Sequence, residues 1–572
     1  MNSLKRHLPP HFPLIAILLV LLVILTVGPV VMLLIGSVSE GMNALGTFTL
    51  NKYIRAYTDP GLVEVLVNTA FFAIGAALFS TTIGTFLSYL SVRTNIPAKG
   101  TFRFLPIIPM MFPHVLFSAA WIMLLNPTNG IFNVWIRDFF GILGVTMENG
   151  PFNIYTLWGM IFLQGMVDLP VTYLVVAPAM EAFDPSMEEA SRASGATAIK
   201  TLRKITLPML RPAILAAFAL GVVRSLAAFA VPSMVGMPGR VFVLNTRIYR
   251  AISTGWIPDY GRGAALGLLA LSTSVTLVYV YRYLVAESER YVTVTGKAYR
   301  PRPIDLGRLR YVFAGILTVL ASLLLFIPIL VLIYMSFLPY NILPSARAFS
   351  LMGFTNWSKI FSSSHALRAT GNTIFLALVG ASLAILLSVF VAYVITKIKS
   401  RVSGVLESLS FLAFSFPGLI IGVGWMWLLV RTPLYATLSA LLVAYVGTYL
   451  PYGVRPLTSA FEQIHQELEE SSRVCGAGFL YTLKRIVVPL LAPGVMSAWM
   501  LLACMFVREL SVSVVLSRPG TEVLTVQILE LSEDALWGQV AALGLVMVGI
   551  SSALVIAASL VRSRLARSYL SE

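Results

Sequence analysis

Four ionisable residues stand inside long apolar runs of this chain, where a charged group is costly unless it binds, pairs or conducts something. They are Asp168, Arg224, Arg508 and Glu509. A carboxylate in such a place could contact a hard metal cation, and a guanidinium could contact a phosphate-like or metal-bound anion. Each could instead pair within the protein and fix helix packing. The four residues are therefore candidates for a translocation pathway, with structural pairing as the alternative.

Other patterns that carry chemistry are missing from the sequence. The nearest approach to a phosphate-binding Gly-x4-Gly-Lys-Ser/Thr loop is Gly296-Lys297-Ala298, which lacks the hydroxyl and the upstream glycine. The five histidines are scattered and show no metal-ligand spacing. No nucleophile elbow or catalytic triad is visible. The sequence predicts a chain that is not an enzyme and that binds no metal or cofactor of its own.

The composition indicates a polytopic membrane protein. Of 572 residues, 58% are hydrophobic and only 12% are charged, and the mean hydropathy is +0.85. A soluble protein of this size could not cover such a surface with polar groups. The net charge of +16 does not indicate nucleic-acid binding, because the basic residues fall mainly in short segments between apolar runs. The two cysteines, Cys475 and Cys504, set no disulfide framework.

We predict an all-α protein with twelve membrane-spanning helices, six in each half. A spanning helix needs about 20 apolar residues, and the runs are too long and too uniformly apolar for barrel strands. The first run is also too long for a signal-peptide core, so we expect it to be a retained span. The predicted spans are 13–36, 63–91, 104–125, 154–180, 206–233, 264–284, 311–336, 368–396, 407–430, 433–460, 487–516 and 537–561.

The basic segments set the predicted orientation. They follow the second, fourth, sixth, eighth, tenth and twelfth spans, so they share one side of a twelve-span chain. The positive-inside rule assigns that side, and both termini, to the cytoplasm of a bacterial inner membrane. The stretch 237–262 also carries arginines, but the spans on either side place it outside.

An internal repeat divides the chain. Under a shift of 281 residues, 12 of the 25 positions in 188–212 are identical. Earlier landmarks, such as Asn68-Thr69 with Asn372-Thr373, are offset by 304, so the first half has a net 23 extra residues. We predict two parallel repeats, 1–290 and 311–572, joined by a basic linker, 291–310. The extra residues predict a larger external loop at 126–153, with a short helix near 131–142.

The repeated polar segments, 181–208 and 462–489, read as helix–turn–helix elements on the cytoplasmic face. Asp184-Pro185-Ser186 is a helix start, and Gly195 and Gly476 suit the turns because glycine accepts backbone conformations that a side chain disfavours. Pro208 and Pro489 are predicted to open the next spans. A transporter that cannot hydrolyse fuel needs such a lever to receive force from a soluble motor.

This pattern resembles that of the permease subunits of bacterial ABC importers, which carry Glu-Ala-Ala, three residues, Gly, nine residues, Ile, one residue, Leu-Pro. The departures here are serine for alanine and valine for leucine. The resemblance implies the type I importer permease fold and makes each segment a coupling helix that sits in a groove of an ATPase. The matching residues are Glu189, Ala190, Ser191, Gly195, Ile205, Leu207 and Pro208, and then Glu470, Ser471, Ser472, Gly476, Ile486, Val488 and Pro489.

The resemblance also implies partners and cargo. We expect two copies of a separate ATPase, which would hold ATP and Mg²⁺, and an extracytoplasmic binding protein, periplasmic or lipid-anchored, that delivers the solute. The fused double permease, with Arg508-Glu509 and the later Pro519-Gly520, looks like the ferric-iron importer group. Phosphonate, thiamine, sugar phosphate and polyamine stay open as cargo. From other classes, a secondary transporter driven by an ion gradient and a receptor or structural membrane protein stay open.

Overall fold

The computed structural model describes residues 12–41, 47–104, 110, 112–182, 186–253, 258–289, 303–398 and 401–568. Within these ranges the chain is helical and contains no strand, which confirms the predicted all-α class. Eight of the described helices are long and apolar enough to cross a membrane. They are Pro13–Val38, Leu62–Arg93, Leu157–Ala182, Ala198–Ala227, Leu309–Ser336, Ser364–Lys397, Arg485–Val507 and Trp537–Val561.

The other four predicted spans also contain helices. The sixth and tenth are Tyr260–Glu289 and Leu438–Glu462, whereas the third and ninth are shorter. Below, "span" with an ordinal means the helix at that place in the predicted order. The helices between spans are Asn51–Tyr57, Lys99–Phe104, Ile131–Ile142, Ser186–Ala193, Leu244–Ser253, Ala346–Ser350, Thr355–Ser362, Gln466–Val474, Phe479–Thr482, Ser513–Leu516 and Leu524–Glu533.

The third and ninth spans are not the continuous helices predicted at 104–125 and 407–430. Span 3 is His114–Leu125, and span 9 is split into Arg401–Leu412 and Gly418–Leu429. Pro113 and Pro417 stand immediately before the two apolar helices with extended backbone. Proline lacks an amide hydrogen and disfavours helical backbone in the residue before it, so the helical hydrogen bonds are interrupted at each Phe-Pro pair. A uniformly apolar run conceals this break.

Wide π-turns let several helices continue past a proline. A proline inside a helix cannot donate its backbone hydrogen bond and crowds the preceding turn, which a wider turn relieves. Pro208 and Pro489, which were predicted to open the next spans, are each the second residue of an α-helix, Leu207–Ala227 or Val488–Val507, and the helical backbone begins earlier, in the π-turn before it. In four helices a proline is the second residue after the π-turn. The turns and their prolines are Val23–Val27 with Pro29, Leu202–Thr206 with Pro208, Ser322–Phe326 with Pro328, and Leu483–Val487 with Pro489.

The first span of each repeat packs on the other repeat as well as on the last span of its own. Span 1 packs on span 9 of the second repeat, and span 7 packs in the same way on span 3 of the first. Glycines allow the close approach: a β-carbon on Gly36 would lie 2.4 Å from the indole of Trp427, and one on Gly424 would lie 2.4 Å from the carbonyl oxygen of Pro29. Small residues at helix contacts are a common way to pack membrane helices.

We predict that Gly36→Leu destabilises the protein because its side chain must displace the Trp427 ring. Overpacking of this kind typically costs about 1–3 kcal/mol. The measurement is the thermal unfolding midpoint of the purified protein in detergent. Gly371→Leu is the control, because Gly371 is also helical but has nothing within 4 Å of a β-carbon. Equal unfolding midpoints for the two variants would contradict the close contact between Gly36 in span 1 and Trp427 in span 9.

Candidate coupling hairpins and intramembrane charges

The first hairpin, residues 186–206, is a helix, a tight turn and the start of span 5. Glu189, Ala190 and Ser191 lie in the helix Ser186–Ala193. Gly195 follows with φ of +82°, in the left-handed region, and the amide of Ala196 donates to the carbonyl oxygen of Ser191 at 3.1 Å. This is the pattern of a glycine-terminated helix. It confirms the predicted helix–turn–helix, while Asp184 and Pro185 lie outside the described residues.

The second hairpin, residues 466–487, repeats this geometry. Glu470, Ser471 and Ser472 lie in the helix Gln466–Val474. Gly476 also has φ of +82°, and the amide of Ala477 donates to the carbonyl oxygen of Ser472 at 3.1 Å. The two turns are thus closed by the same bonds at the same offset. The remaining motif residues follow in each hairpin: Ile205 and Ile486 lie in the π-turns, and Leu207-Pro208 and Val488-Pro489 come directly after them.

The serines that depart from the Glu-Ala-Ala pattern have matching partners. The hydroxyls of Ser191 and Thr201 lie 3.0 Å apart, and those of Ser472 and Thr482 lie 2.8 Å apart. Each pair joins the first helix of a hairpin to the second. Alanine cannot form such a bond, so in this chain the substitution adds a polar link across the turn.

A buried polar cluster ties the first hairpin to span 2. The hydroxyl of Thr206 donates to Oε1 of Glu188 at 2.6 Å, and Nε of Arg93 lies 3.8 Å from Oε2 of the same carboxylate. The side chains of Arg93 and Glu188 are both 2% exposed. In the second repeat Val487 stands where the first has Thr206, so that hydrogen bond has no counterpart. The two hairpins are therefore alike in their turns but differ in how they are anchored.

The described end of the linker docks beside this cluster. The amide of Ile304 donates to the carbonyl oxygen of Arg93 at 2.8 Å, and the side chain of Asn95 donates to Oδ1 of Asp305 at 2.6 Å. The amide of Gly307 and the side chain of Asn95 lower the pKa of the Asp305 carboxyl by hydrogen bonding to its charged form. The connection between the repeats thus contacts the end of span 2 that holds the first hairpin.

Asp168, which is buried, and Arg224, whose side chain is 32% exposed, form an ion pair between spans 4 and 5. Nε of Arg224 lies 2.8 Å from Oδ1 of Asp168, whose side chain is 1% exposed. Gln164 and Ser225 donate to Oδ2 of Asp168 at 2.8 and 3.2 Å. The carboxylate is therefore surrounded by donors of its own repeat, which is the arrangement that internal pairing predicts.

Arg508 and Glu509 do not lie inside span 11, where the sequence placed them. That helix ends at Val507, and the next helix, Ser513–Leu516, begins five residues after Arg508. The carboxylate of Glu509 accepts hydrogen bonds from the Val512 amide at 2.6 Å and from the Tyr449 hydroxyl. The apolar residues on both sides gave the sequence no sign of this break.

Arg508 reaches across the interface of the repeats. Arg508, from the second repeat, donates to the carbonyl oxygen of Met110 in the first. Its charge and that of Arg224 are near enough to act on each other and on His114, the first residue of span 3. Of the four candidate residues, Asp168 and Arg224 thus pair within the first repeat, whereas Arg508 contacts the other repeat. Among the described residues, no group of three His, Cys, Asp or Glu side chains could hold a metal ion.

Comparison with known proteins decides the family. The family described as binding-protein-dependent transport system inner membrane component matches residues 80–288 and again residues 384–569. This chain belongs to that family. The two matched ranges cover both hairpins, and they confirm the ABC importer permease predicted from the repeated motif.

Three relatives match most of this permease. The ferric transport system permease protein FbpB of Actinobacillus pleuropneumoniae is 26% identical over 89% of this chain and 73% of that protein. In Haemophilus influenzae, a putative ferric transport system permease protein FbpB 1 is 26% identical over 81% of this chain and 71% of that protein. The Fe(3+)-transport system permease protein FbpB 2 of the same organism is 22% identical over 85% and 87%.

The permease also repeats a contact on the side opposite the hairpins that the sequence analysis missed. Oγ1 of Thr69 accepts from the amide of Leu244, and Oγ1 of Thr373 accepts from the amide of Leu524, both at 2.9 Å. These bonds hold the short helices Leu244–Ser253 and Leu524–Glu533. The available signal was Pro238-Gly239, which precedes Pro519-Gly520 by the same 281 residues.

We predict that Asp168 and Arg224 are energetically coupled. Asp168→Asn and Arg224→Gln should each lower the unfolding free energy, and the double variant should lower it by less than the sum. An interaction energy of about 1–3 kcal/mol is expected for a buried network. The measurement is a double-mutant cycle by unfolding in mixed micelles. The control pair is Arg103–Glu181, whose side chains are 44% and 51% exposed and should couple by less than about 1 kcal/mol. Additive effects at Asp168 and Arg224 would contradict structural pairing.

Proposed function

We propose that this permease translocates ferric iron in an ATP-driven ABC importer. The observation that carries the proposal is the likeness to three ferric-transport permeases over 81–89% of the chain, spanning both repeats. Sequence similarity confined to one repeat would support only the shared permease fold. The proposal makes Fe³⁺ a transient cargo, delivered by a binding protein and released on the other side.

The proposed motor is a pair of ATPase subunits that grip the two hairpins. Both hairpins expose apolar side chains in otherwise polar segments, which favours a protein partner over open water. Ile199 is 65% exposed in the first hairpin, and Val474 is 88% exposed in the second. ATP and Mg²⁺ would be bound by the ATPase subunits and not by this chain. The hairpin side, with both termini, would be cytoplasmic, and the binding protein would dock on the opposite side.

The motif residues transmit the force in this proposal. ATP-driven closure of the ATPase pair would move the helices Ser186–Ala193 and Gln466–Val474. Because the second helix of each hairpin continues without interruption into span 5 or span 11, that movement would turn the span as a rigid body. The two repeats would then rock between inward-open and outward-open states.

Arg224 and Arg508 are the residues that we place on the pathway. They come from opposite repeats, Arg508 donates to the backbone of the first repeat at Met110, and the charges of the two arginines act on each other. Asp168 and Glu509 would orient them and the adjoining backbone, because both carboxylates are already satisfied by buried donors. Two guanidinium groups attract an anion and repel a bare trivalent cation. The arrangement therefore suits iron that carries a bound anion, and the same observation makes a phosphonate the second candidate cargo.

The glycine turns give a sharp test of coupling. Gly195 and Gly476 have nothing within 4 Å of a β-carbon, so a substitution there acts through the backbone alone. We predict that Gly195→Val with Gly476→Val lowers binding-protein-stimulated ATP hydrolysis by about tenfold, or about 1.4 kcal/mol, because a β-branched residue disfavours positive φ. Asn at both positions should retain most activity, since asparagine tolerates this region. The assay uses the reconstituted complex, and equal activity of the two double variants would contradict the lever.

The cargo is tested by transport into proteoliposomes. The permease, its ATPase and its binding protein are reconstituted, and uptake of radioactive iron is followed with and without ATP. We predict ATP-dependent iron uptake that excess phosphonate does not reduce. Transport of phosphonate without transport of iron would overturn the iron assignment and leave the importer assignment intact. A permease that moves solute without the ATPase, down an ion gradient, would overturn both.

A further inference from the structure

A short helix between spans 3 and 4 presents an apolar face that the rest of the described chain does not cover. The helix is Ile131–Ile142, at the position predicted for a helix in the extra loop. Ile131 and Val134 are buried against the protein. The exposed side carries Trp135, Phe139, Ile142 and the adjoining Leu143, at 48%, 61%, 85% and 62% exposure.

Hydrogen bonds fix the start of this helix at the level where the neighbouring spans end. The side-chain amide of Asn133, which is 1% exposed, donates to the carbonyl oxygens of Leu125, Asn126 and Phe152 at 3.1, 2.9 and 2.7 Å. Leu125 is the last residue of span 3, and Phe152 precedes span 4 by five residues. The first turn of the helix is thus clamped to the boundary of the membrane-spanning region. That boundary lies at the opposite end of span 4 from the first hairpin.

The surroundings continue the same apolar surface. Phe152 and Trp158, at the beginning of span 4, are 50% and 78% exposed. Nη1 of Arg137 points away towards backbone, within 3.4 Å of the Thr128 carbonyl oxygen and 3.3 Å of that of Glu148. Tryptophan and phenylalanine beside the ends of spans are typical of the membrane–water interface. A 12-residue helix is about 18 Å long, too short to cross about 30 Å of hydrocarbon.

We propose that Ile131–Ile142 lies flat in the boundary between headgroups and acyl chains, with Trp135, Phe139, Ile142 and Leu143 inserted among the lipids. The partner is the bilayer itself, because the exposed apolar face adjoins the surface that the spans present to lipid, and the exposed Asp138 stands at its edge. The second repeat passes from Leu429 to Leu438 without such a helix. Between spans 3 and 4 the first repeat therefore has an anchor that the corresponding connection of the second repeat lacks. The assignment of this helix to the outer leaflet rests on the proposed function. Its depth in the membrane does not depend on that function.

Spin labels test the depth directly. Cys475 and Cys504 are the two native cysteines, so Cys475→Ser with Cys504→Ser gives a parent for single labels at Phe139→Cys, Ile142→Cys and Glu148→Cys. Glu148 is exposed in the same loop and serves as the water-facing control. The full chain is placed in lipid nanodiscs, and relaxation by oxygen is compared with relaxation by a water-soluble nickel chelate. The labels at 139 and 142 should be relaxed more strongly by oxygen than by the nickel chelate, and the label at 148 more strongly by the nickel chelate.

The opposite result overturns the proposal. Nickel-accessible labels at 139 and 142 would show that the face is in water, and shielding of those labels only on addition of the binding protein would assign the face to that partner instead. Unchanged thermal unfolding of each labelled protein guards against misfolding. Sidedness is read separately, by an impermeant reductant added to sealed vesicles. Labels that are deep but on the hairpin side would refute the proposed orientation and leave the interfacial helix standing.

Discussion

The left-handed glycine turn in each hairpin is the constraint on which the proposed coupling mechanism depends. At Gly195 and Gly476 the backbone has φ of +82°, and the bonds that close both turns are the same. A hydroxyl pair then links the two helices across each turn. The helix after the turn is continuous with a span, so in the proposed mechanism a displacement of the exposed helix is passed on to the membrane. The π-turn before Pro208 or Pro489 keeps that connection intact.

The repeats are alike in architecture and unlike in detail. The first hairpin is held to span 2 through Glu188, Thr206 and Arg93, and the linker contacts the same place. The second has Val487 at the position of Thr206, and valine cannot form the hydrogen bond that Thr206 donates. The first repeat alone carries the helix Ile131–Ile142. Because the repeats are fused in one chain, the Thr206 hydrogen bond and the helix Ile131–Ile142 always belong to the first repeat. In the proposed mechanism, the two hairpins therefore need not respond identically to the same movement of the ATPase.

Local features of this fold were predictable, while breaks inside apolar runs were not. The hairpins, the glycine turns and the helix at 131–142 follow from spacing and turn chemistry. The breaks of spans 3 and 9 at Phe112-Pro113 and Phe416-Pro417 were not predicted, because hydrophobicity does not distinguish an extended segment from a helix in a buried run. The packing of span 1 on span 9 depends on the close approach of the two helices at Gly36 and Gly424, which hydrophobic periodicity does not encode. Roles on the pathway remain proposals, since pairing and transport use the same residues.

Native Cys475 provides the most direct test of the central claim, because it is exposed in the second hairpin. In a Cys504→Ser background, a membrane-impermeant maleimide is applied to sealed vesicles of either orientation, with and without the ATPase. The account predicts labelling in inside-out vesicles only, and protection when the ATPase is bound. Labelling in right-side-out vesicles, or equal labelling with and without the ATPase, would contradict a cytoplasmic lever gripped by a separate motor.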